Sequence, residues 1–188
     1  MLKGVISAKQ IYFRPMSIDD IDNGWLDWIN DQGNNKYLVN RGKMTRDLLV
    51  KYLNDSKPPS VFMFAICLIE NDKYIGNARL SNIDWSKRCA DYGRLIGVHN
   101  LQGKGIGTEV LVLLSYFAFS YLELNRIQTL VSASNIASVR SNEKAGAIQE
   151  GAMRKLEQID DAHEDKIWFG MSSDDFKKSS WKEVLDIS

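Results

Sequence analysis

Apolar residues recur at intervals of three or four in the first part of the chain, which is the spacing of one helix face. One such set consists of Ile18, Ile21, Trp25, Trp28 and Ile29. Ser17 and Asp20 stand three residues apart, as in a capping box, and favour a helix start at Ser17. A second set consists of Leu48, Leu49, Tyr52 and Leu53, with Thr45 as its cap. Two helices are therefore expected before Pro58-Pro59 ends this region.

Runs of apolar and β-branched residues bounded by turn-forming residues predict the strands. They cover residues 10–14, 61–70, 74–83, 89–98, 127–132, 147–158 and 165–171. A long helix is expected after residue 108, with Val110, Leu111, Leu114, Phe117, Ala118 and Tyr121 at helical spacing. A short helix is expected between the strands 127–132 and 147–158. The elements predict an α/β fold with a mixed, mostly antiparallel central sheet of about six to seven strands and helices on both faces.

Length and composition indicate a single domain over residues 1–188, without repeats, low-complexity tracts or linkers. A domain of this size buries roughly 70% of the surface that its unfolded chain exposes. Basic and acidic residues balance at 24 each, so no overall field attracts nucleic acid or anionic lipid. Cys67 and Cys89 lie in strand-like segments and do not form a disulfide framework. With no apolar signal core and no run that could span a bilayer, a cytoplasmic location is expected.

The most informative segment joins the strand 89–98 to the long helix and reads Gln102-Gly103-Lys104-Gly105-Ile106-Gly107-Thr108. The first amides of a helix lack intrahelical partners, and glycines let phosphate oxygens approach them closely. The segment therefore predicts a phosphate site. A Walker A loop is excluded because Gly105, and not Ser or Thr, follows Lys104. The dinucleotide fingerprint also fails, since Thr108 or Val110 would stand at its third glycine.

Gln102, Gly105 and Gly107 fit the pattern Gln-x-x-Gly-x-Gly, which resembles the pyrophosphate loop of the GNAT superfamily of N-acetyltransferases. A second match covers residues 135–154, where Asn-x-x-Ser, Glu-Lys-x-Gly and Glu-Gly-x-x-Arg follow in order. It resembles the branch that acetylates ribosomal-protein termini, polyamines and amino sugars, although Ala147 replaces the usual phenylalanine. The similarity extends from about residue 11 to 171. It implies a GNAT fold and acetyl-CoA as cosubstrate, with no metal.

The resemblance also implies the residues that hold acetyl-CoA. They are Ile96, Val98, Gln102, Gly103, Lys104, Gly105, Ile106, Gly107, Thr108, Asn135, Ser138 and Asn142. The loop would bind the pyrophosphate, and the strand backbone near Ile96 and Val98 would pair with the pantetheine amides. One amide of that strand is also expected to donate to the thioester carbonyl and stabilise the developing oxyanion. Asn135 is equally expected as a helix N-cap.

The catalytic residues implied by the resemblance are Asp91, Ser138 and Asn142. Many GNAT enzymes have a tyrosine at the position of Asn142 that protonates the leaving thiolate. An asparagine donates a hydrogen bond but supplies no proton, so the thiolate departs unprotonated with help from Asn142 and Ser138, or takes its proton from water. Asp91 stands where relatives often carry a glutamate that acts as a base through water, and a surface aspartate is the alternative. The reserve candidates are Glu150, Asp160, Asp161, Glu164 and Asp165.

The acceptor pocket would be lined, by the same resemblance, by Trp25, Trp28, Tyr37, Arg41 and the loop 160–165. The two tryptophans are equally typical of a core helix face. The acidic loop would attract a polyamine or a basic peptide terminus, and an amino sugar is an equally good acceptor. The expected partner is thus a small-molecule amine or a peptide N-terminus, and neither nucleic acid nor a membrane is expected. The sequence is also compatible with a homodimer.

Two other functions are compatible with the sequence. Asparagine at position 142 and the lack of an obvious base would also suit a non-catalytic acyl-CoA-binding module. A nucleotide-phosphate binder would share only the loop. An acyl-CoA-binding module, unlike an enzyme, would release no free thiol from acetyl-CoA in the presence of an amine. A nucleotide-phosphate binder would be stabilised against heat more strongly by ATP or NAD than by CoA.

Overall fold

The computed structural model describes residues 6–38, 42–101, 103–159, 162–179, 181 and 185. Its centre is a sheet of seven strands in the order β1-β2-β3-β4-β5-β7-β6. The strands are β1 (Ile11–Pro15), β2 (Phe62–Leu68), β3 (Tyr74–Asp84), β4 (Cys89–Ile96), β5 (Arg126–Ser132), β6 (Ile148–Ile159) and β7 (Ala162–Ser172). All neighbours pair antiparallel except β4 and β5, which are parallel. The predicted mixed, mostly antiparallel sheet is confirmed.

Six α-helices surround this sheet in the described part of the chain. They are α1 (Leu26–Asn30), α2 (Gln32–Asn35), α3 (Arg46–Asp55), α4 (Ile106–Tyr116), α5 (Ile136–Lys144) and α6 (Ser173–Lys178). Thr45 caps α3 as expected, since its side chain accepts a hydrogen bond from the Leu48 amide at 3.3 Å. α2 and α6 were not predicted from the sequence. α6 begins with a complete capping box between Ser172 and Asp175, a signal that the sequence does contain.

The prediction of one continuous helix after Ser17 is wrong. The segment Ile21–Trp25 precedes α1 and contains a kink, because the backbone angles of Asn23 and Gly24 are not helical. Gly24 has φ 136°, which only glycine adopts readily. The kink brings the Trp28 ring against Gly24, where an added Cβ would lie 2.6 Å from it. Close backbone packing therefore outweighs the helical periodicity here.

The main core lies between one face of the sheet and α4, which is buried from Val110 to Ser115 along its length. On the opposite face, Ile21, Trp25, Leu49 and Leu53 form a second cluster against Met63 and Leu95. Successive strand residues point to opposite faces, so both faces require cover. Within the described residues, no helix is both long and apolar enough to cross a lipid bilayer.

Gly97, just after β4, sets how closely α1 approaches the sheet. A Cβ at this position would lie 1.9 Å from the Trp28 ring. We therefore expect Gly97→Ala to lower the free energy of unfolding by about 1–3 kcal/mol through overpacking. Urea denaturation measures this loss. Gly151→Ala is the control, because an added Cβ there meets nothing within 4 Å; an equal loss in both variants would contradict the packing explanation.

Candidate functional site

A wedge opens between β4 and β5 at the centre of the sheet. The two strands pair only at Cys89–Arg126, Ala90–Ile127 and Asp91–Gln128. Beyond that point β4 continues alongside β3 to Ile96, and β5 continues alongside β7 to Ser132. Their facing edges pair with no other strand of the described chain, so the wedge exposes backbone donors and acceptors of the kind that an extended amide chain could pair with.

The backbone of β4 directs alternate amides into this wedge. The Gly97 amide donates to the Ile75 carbonyl at 2.9 Å, on the side of β3. In an antiparallel pair, residues alternate between facing the partner strand and facing away. The amides of Ile96 and Val98 therefore face the wedge, and both side chains pack beside the main core. The predicted pantetheine contact of these two residues remains a prediction that this geometry permits.

The glycine-rich loop lies beyond the wide end of the wedge. Gly103 and Gly105 have φ of 78° and 85°, in the left-handed region that favours glycine. A Cβ on either residue would meet nothing within 4 Å. Gly105 is the N-cap of α4, and no described residue accepts a backbone hydrogen bond from Ile106 or Gly107. Amides without an acceptor among the described residues, an open approach and the positive helix end together fit an anion.

The other predicted loop residues have different surroundings. Ile106 and Thr108 are buried, so they anchor the first turn of α4. Lys104 is exposed. Gln102 lies outside the described residues, so its predicted role stays a prediction.

A contact between Gln10 and the buried Glu109, which the sequence did not reveal, fixes this loop. Glu109 is 7% exposed, and its two carboxylate oxygens accept from the backbone amide of Gln10 at 3.0 Å and from its Nε2 at 2.7 Å. Gln10 Nε2 also lies 3.3 Å from the Lys104 carbonyl. Gln10, the residue before β1, thereby contacts both the loop at Lys104 and the first turns of α4 at Glu109. The partners are 99 residues apart in sequence, and no local pattern indicates the contact.

Asp91 occupies the last paired position at the narrow end of the wedge. Its Oδ1 accepts from Gln128 Nε2 at 3.1 Å and its Oδ2 from Asn82 Nδ2 at 2.8 Å. The side chain is partly buried. Gln128 in turn accepts from Arg126 at 3.1 Å, and Arg126 forms an ion pair with Glu150. The predicted base is thus a fixed carboxylate on the face of β4 opposite Tyr92.

Asn135 and Ser138 form the start of α5. The Asn135 side chain accepts from the Ser138 amide at 3.1 Å, as expected of an N-cap. Ser138 is partly buried, and its carbonyl accepts from the Ser141 hydroxyl at 2.9 Å. The cap function of Asn135 is confirmed, whereas the cofactor contacts of both residues stay predictions.

Asn142 is completely buried and belongs to a polar cluster that the sequence did not predict. Its Oδ1 accepts from the Tyr92 hydroxyl at 2.9 Å and from Arg94 Nη1 at 3.2 Å. Arg94 also donates from Nη2 to the Ser141 hydroxyl. Asn142 Nδ2 has no hydrogen-bond partner among the described residues. Burial raises the pKa of Tyr92 far above its ordinary value and lowers the pKa of Arg94.

Three of the reserve candidates, Glu150, Glu164 and Asp165, are engaged in other contacts. The ion pair with Arg126 lowers the pKa of Glu150, which disfavours it as a proton acceptor. Glu164 accepts from the Ser134 hydroxyl, and Asp165 from the Lys155 amide at 2.9 Å. Asp160 and Asp161 lie outside the described residues. In the part of the chain that the structure covers, no group of three or more His, Cys, Asp or Glu side chains could hold a metal ion.

The predicted acceptor residues separate into two groups. Trp25 is 3% exposed in the second core cluster, and Trp28 packs on Gly97 and on the Tyr74 ring, so both tryptophans have packing functions. The Tyr37 hydroxyl lies 3.4 Å from the carbonyl of Ser134, two residues after β5 ends. Arg41 lies outside the described residues. A groove of about 790 Å³ is lined by Asn30, Gln32, Gly33, Asn35, Lys36, Lys43 and Ile159.

Comparison with known proteins agrees with this geometry. The family model described as an acetyltransferase (GNAT) domain matches residues 10–148. The probable N-acetyltransferase YjcK of Bacillus subtilis is 30% identical over 178 residues, which cover 88% of this chain and 93% of that protein. The putative ribosomal N-acetyltransferase YdaF of Bacillus subtilis is 30% identical over 104 residues, or 55% of this chain and 56% of that protein.

Two solved structures share the fold. The spermidine N-acetyltransferase of Vibrio cholerae, in complex with CoA and spermine, has a TM-score of 0.82 at 19% identity, covering 90% of this chain and 99% of that chain. RimJ of Mycobacterium smegmatis, in complex with CoA-disulfide, has a TM-score of 0.82 at 16% identity, covering 97% of this chain and 96% of that chain. At these identities the likeness extends to the fold alone.

Proposed function

The chain belongs to the GNAT acetyltransferase family, and from this premise we propose that it transfers the acetyl group of acetyl-CoA to the primary amine of a small polar acceptor. The observation that carries the proposal is the wedge between β4 and β5, which leads to the glycine-rich start of α4. An extended chain with amide groups fits the free strand edges. A diphosphate fits the amides of Ile106 and Gly107, for which no described residue is an acceptor. The two sites are arranged in sequence along one groove.

On this proposal, the loop from Gly103 to Thr108 holds the diphosphate, and the amides of Ile96 and Val98 hold the pantetheine arm and polarise the thioester carbonyl. Asn135 and Ser138 face the arm from α5. Acetyl-CoA supplies the activated acetyl group when it is bound. A structure with bound acetyl-CoA in which that carbonyl lies beyond hydrogen-bond distance of every β4 amide would contradict the oxyanion assignment.

Asp91 is the proposed base, and it acts through a water molecule. Gln128 and Asn82 hold both of its oxygens, so the carboxylate is fixed in position. Its face of β4 also carries Leu95, which packs against the cluster formed by α3 and the segment before α1. The acceptor is therefore expected to approach from the side of these helices.

Transfer is proposed to be direct, without an acyl-enzyme. Cys67 is fully buried in β2, and burial raises the pKa of its thiol, which leaves little thiolate at neutral pH. Cys89 lies at the start of β4, two residues before Asp91. Labelled acetyl found on either cysteine in the absence of acceptor, and then transferred to an amine, would overturn this step.

The groove beside α2 supports an acceptor rich in hydroxyl or anionic groups. Its described lining carries amide side chains and the ammonium groups of Lys36 and Lys43. Two cations repel a polyamine and attract an anion or a polar hydroxyl-bearing molecule. We therefore propose an amino sugar, in particular one that carries an anionic substituent, as the acceptor class.

A thiol-release assay with acetyl-CoA tests the function. The panel contains neutral amino sugars, amino sugars bearing a phosphate group, polyamines, aminoglycosides and peptides with free N-termini. We expect acceptor-dependent release of CoA, highest with an anionic amino sugar. CoA binding without release across the panel would instead indicate an acyl-CoA-binding module, and highest rates with spermidine would refute the acceptor class while leaving acetyl transfer intact.

A further inference from the structure

We propose that Arg94 provides the positive charge that receives the leaving thiolate, and that Asn142 and Ser141 hold its guanidinium in place. The proposal rests on the proposed function, because it concerns the same cofactor groove. It assigns a direct role to a residue of β4 and gives Asn142 a positioning role, instead of the direct contact with the thiolate expected from the sequence.

Arg94 is a partly buried cation whose partners are neutral. Its described hydrogen-bond acceptors are the Asn142 side-chain oxygen and the Ser141 hydroxyl. The neighbouring Tyr92 is also neutral, because burial raises the pKa of its hydroxyl and keeps it protonated. No described carboxylate pairs with Arg94. Removing a charge from water without an opposite charge is costly, so the site is poised for an anion that arrives with a ligand.

Asn142 provides an independent observation in the same place. Its side chain is 0% exposed, and its Nδ2 has no described acceptor. Its Oδ1 receives two donors, Tyr92 and Arg94. The cluster therefore holds more donors than acceptors. A negatively charged atom that accepts hydrogen bonds and donates none would correct this imbalance. Water cannot supply the missing acceptor at Asn142, because this residue is buried.

The position of Arg94 favours the thiolate over the diphosphate. Arg94 lies three residues beyond the last β4–β5 pair, inside the wedge, and its donors reach α5. Its Nε is 3.7 Å from the place of a Cβ on Gly107, on the inner side of the first turn of α4. The open residues of the loop, Gly103 and Gly105, have no neighbour within 4 Å of such a Cβ. The open approach to the loop is thus at Gly103 and Gly105, whereas Arg94 lies on the side of Gly107 that faces Ser141 of α5.

Acetyl transfer can proceed on this proposal without a residue that protonates the leaving thiolate. The amine nitrogen forms a bond to the acetyl carbon and loses its proton to water held by Asp91. The carbon–sulfur bond breaks, and sulfur takes the electron pair as a thiolate beside the Arg94 guanidinium. The thiol proton is regained from solvent after release. A fixed cation thereby replaces a proton donor in stabilising the leaving group.

The test compares CoA with desulfo-CoA, which has hydrogen in place of the thiol. Titration calorimetry from neutral to alkaline pH measures both affinities for the parent, Arg94→Met and Arg94→Lys. We expect the parent to bind CoA increasingly better than desulfo-CoA as pH rises and the thiolate forms. At alkaline pH, Arg94→Met should bind CoA about 10- to 100-fold more weakly than the parent, because a hydrogen bond to a charged group is lost. Its affinity for desulfo-CoA should equal that of the parent. Arg94→Lys should recover part of the loss.

A second readout is the ultraviolet absorbance of bound thiolate, whose midpoint pH should be lower in the parent than in Arg94→Met. Asn142→Asp gives a further variant, because a carboxylate against Arg94 cancels its charge while filling the same space; it should behave like Arg94→Met.

Equal losses for CoA and desulfo-CoA would assign Arg94 to the diphosphate and overturn the proposal, as would unchanged affinities for both ligands. Failure of the parent to bind either ligand would refute the proposed function together with this inference.

Discussion

Replacing Gly105 by aspartate is expected to abolish CoA binding while the protein remains folded. Gly105 caps α4 with φ 85°, and the space around its Cα is open. A carboxylate there would stand beside the diphosphate, and two like charges about 4 Å apart near a protein surface repel by about 4 kcal/mol. This corresponds to roughly a thousand-fold loss of affinity. Titration calorimetry measures the loss, and circular dichroism confirms the fold.

Gly105→Asn is the matched control, since asparagine has the same shape without the charge. Asparagine and aspartate both tolerate left-handed backbone better than other residues with a side chain, so backbone strain is similar in the two variants. We expect Gly105→Asn to bind CoA far better than Gly105→Asp. Gly107 is less suitable for this test, because a side chain there would meet Ser141 at 3.4 Å and approach Arg94. Normal CoA binding by a folded Gly105→Asp protein would mean that the loop is not the diphosphate site.

Asp91→Asn is expected to lower turnover by about a hundred-fold or more, because general base catalysis contributes roughly 10²- to 10⁴-fold. CoA affinity should change little, since Asp91 lies at the narrow end of the wedge, away from the loop. The defect should grow as pH falls, where a larger fraction of the acceptor is protonated and needs a base. Steady-state kinetics across pH, with the acceptor found in the thiol-release panel, measures both effects.

Asp84→Asn serves as its control. Asp84 lies at the end of β3 on the same hairpin, and hydrogen bonds from Lys87 and Ser86 hold the pKa of its carboxyl well below the usual range. It takes no part in the wedge, so turnover should remain at the parental level. A loss in Asp91→Asn that is constant across pH, or one that appears in CoA affinity, would point to a structural function for Asp91.

Local sequence predicted the parts of the site in which neighbouring residues act together. The glycines between an apolar run and a helical period identified the loop, and Gly103 and Gly105 do adopt left-handed backbone at the start of α4. The cap at Asn135 was recognised from the same kind of short-range signal. The family and fold predictions are confirmed. The single domain over residues 1–188, the cytoplasmic location and the catalytic residues stay predictions.

The sequence could not indicate what surrounds these parts. No local pattern indicates that Asn142 is completely buried against Arg94. Its expected place beside the sulfur stays a prediction. The kink at Gly24 was missed because the helical apolar period continues across it, and only the packing of Trp28 on Gly24 and Gly97 shows why the backbone bends. In both cases the competing influence is a close contact with another element.

The sequence by itself determined the seven strands, the glycine-rich loop at the start of α4 and the family, since these depend on spacing within a few residues. The tertiary structure alone decided that β4 and β5 part after Asp91, and that Arg94 meets Asn142 across 48 residues of sequence. Such contacts follow from which strands become neighbours and how helices pack on them. Burial and charge compensation are properties of the assembled core, and they appear only when distant segments share one environment.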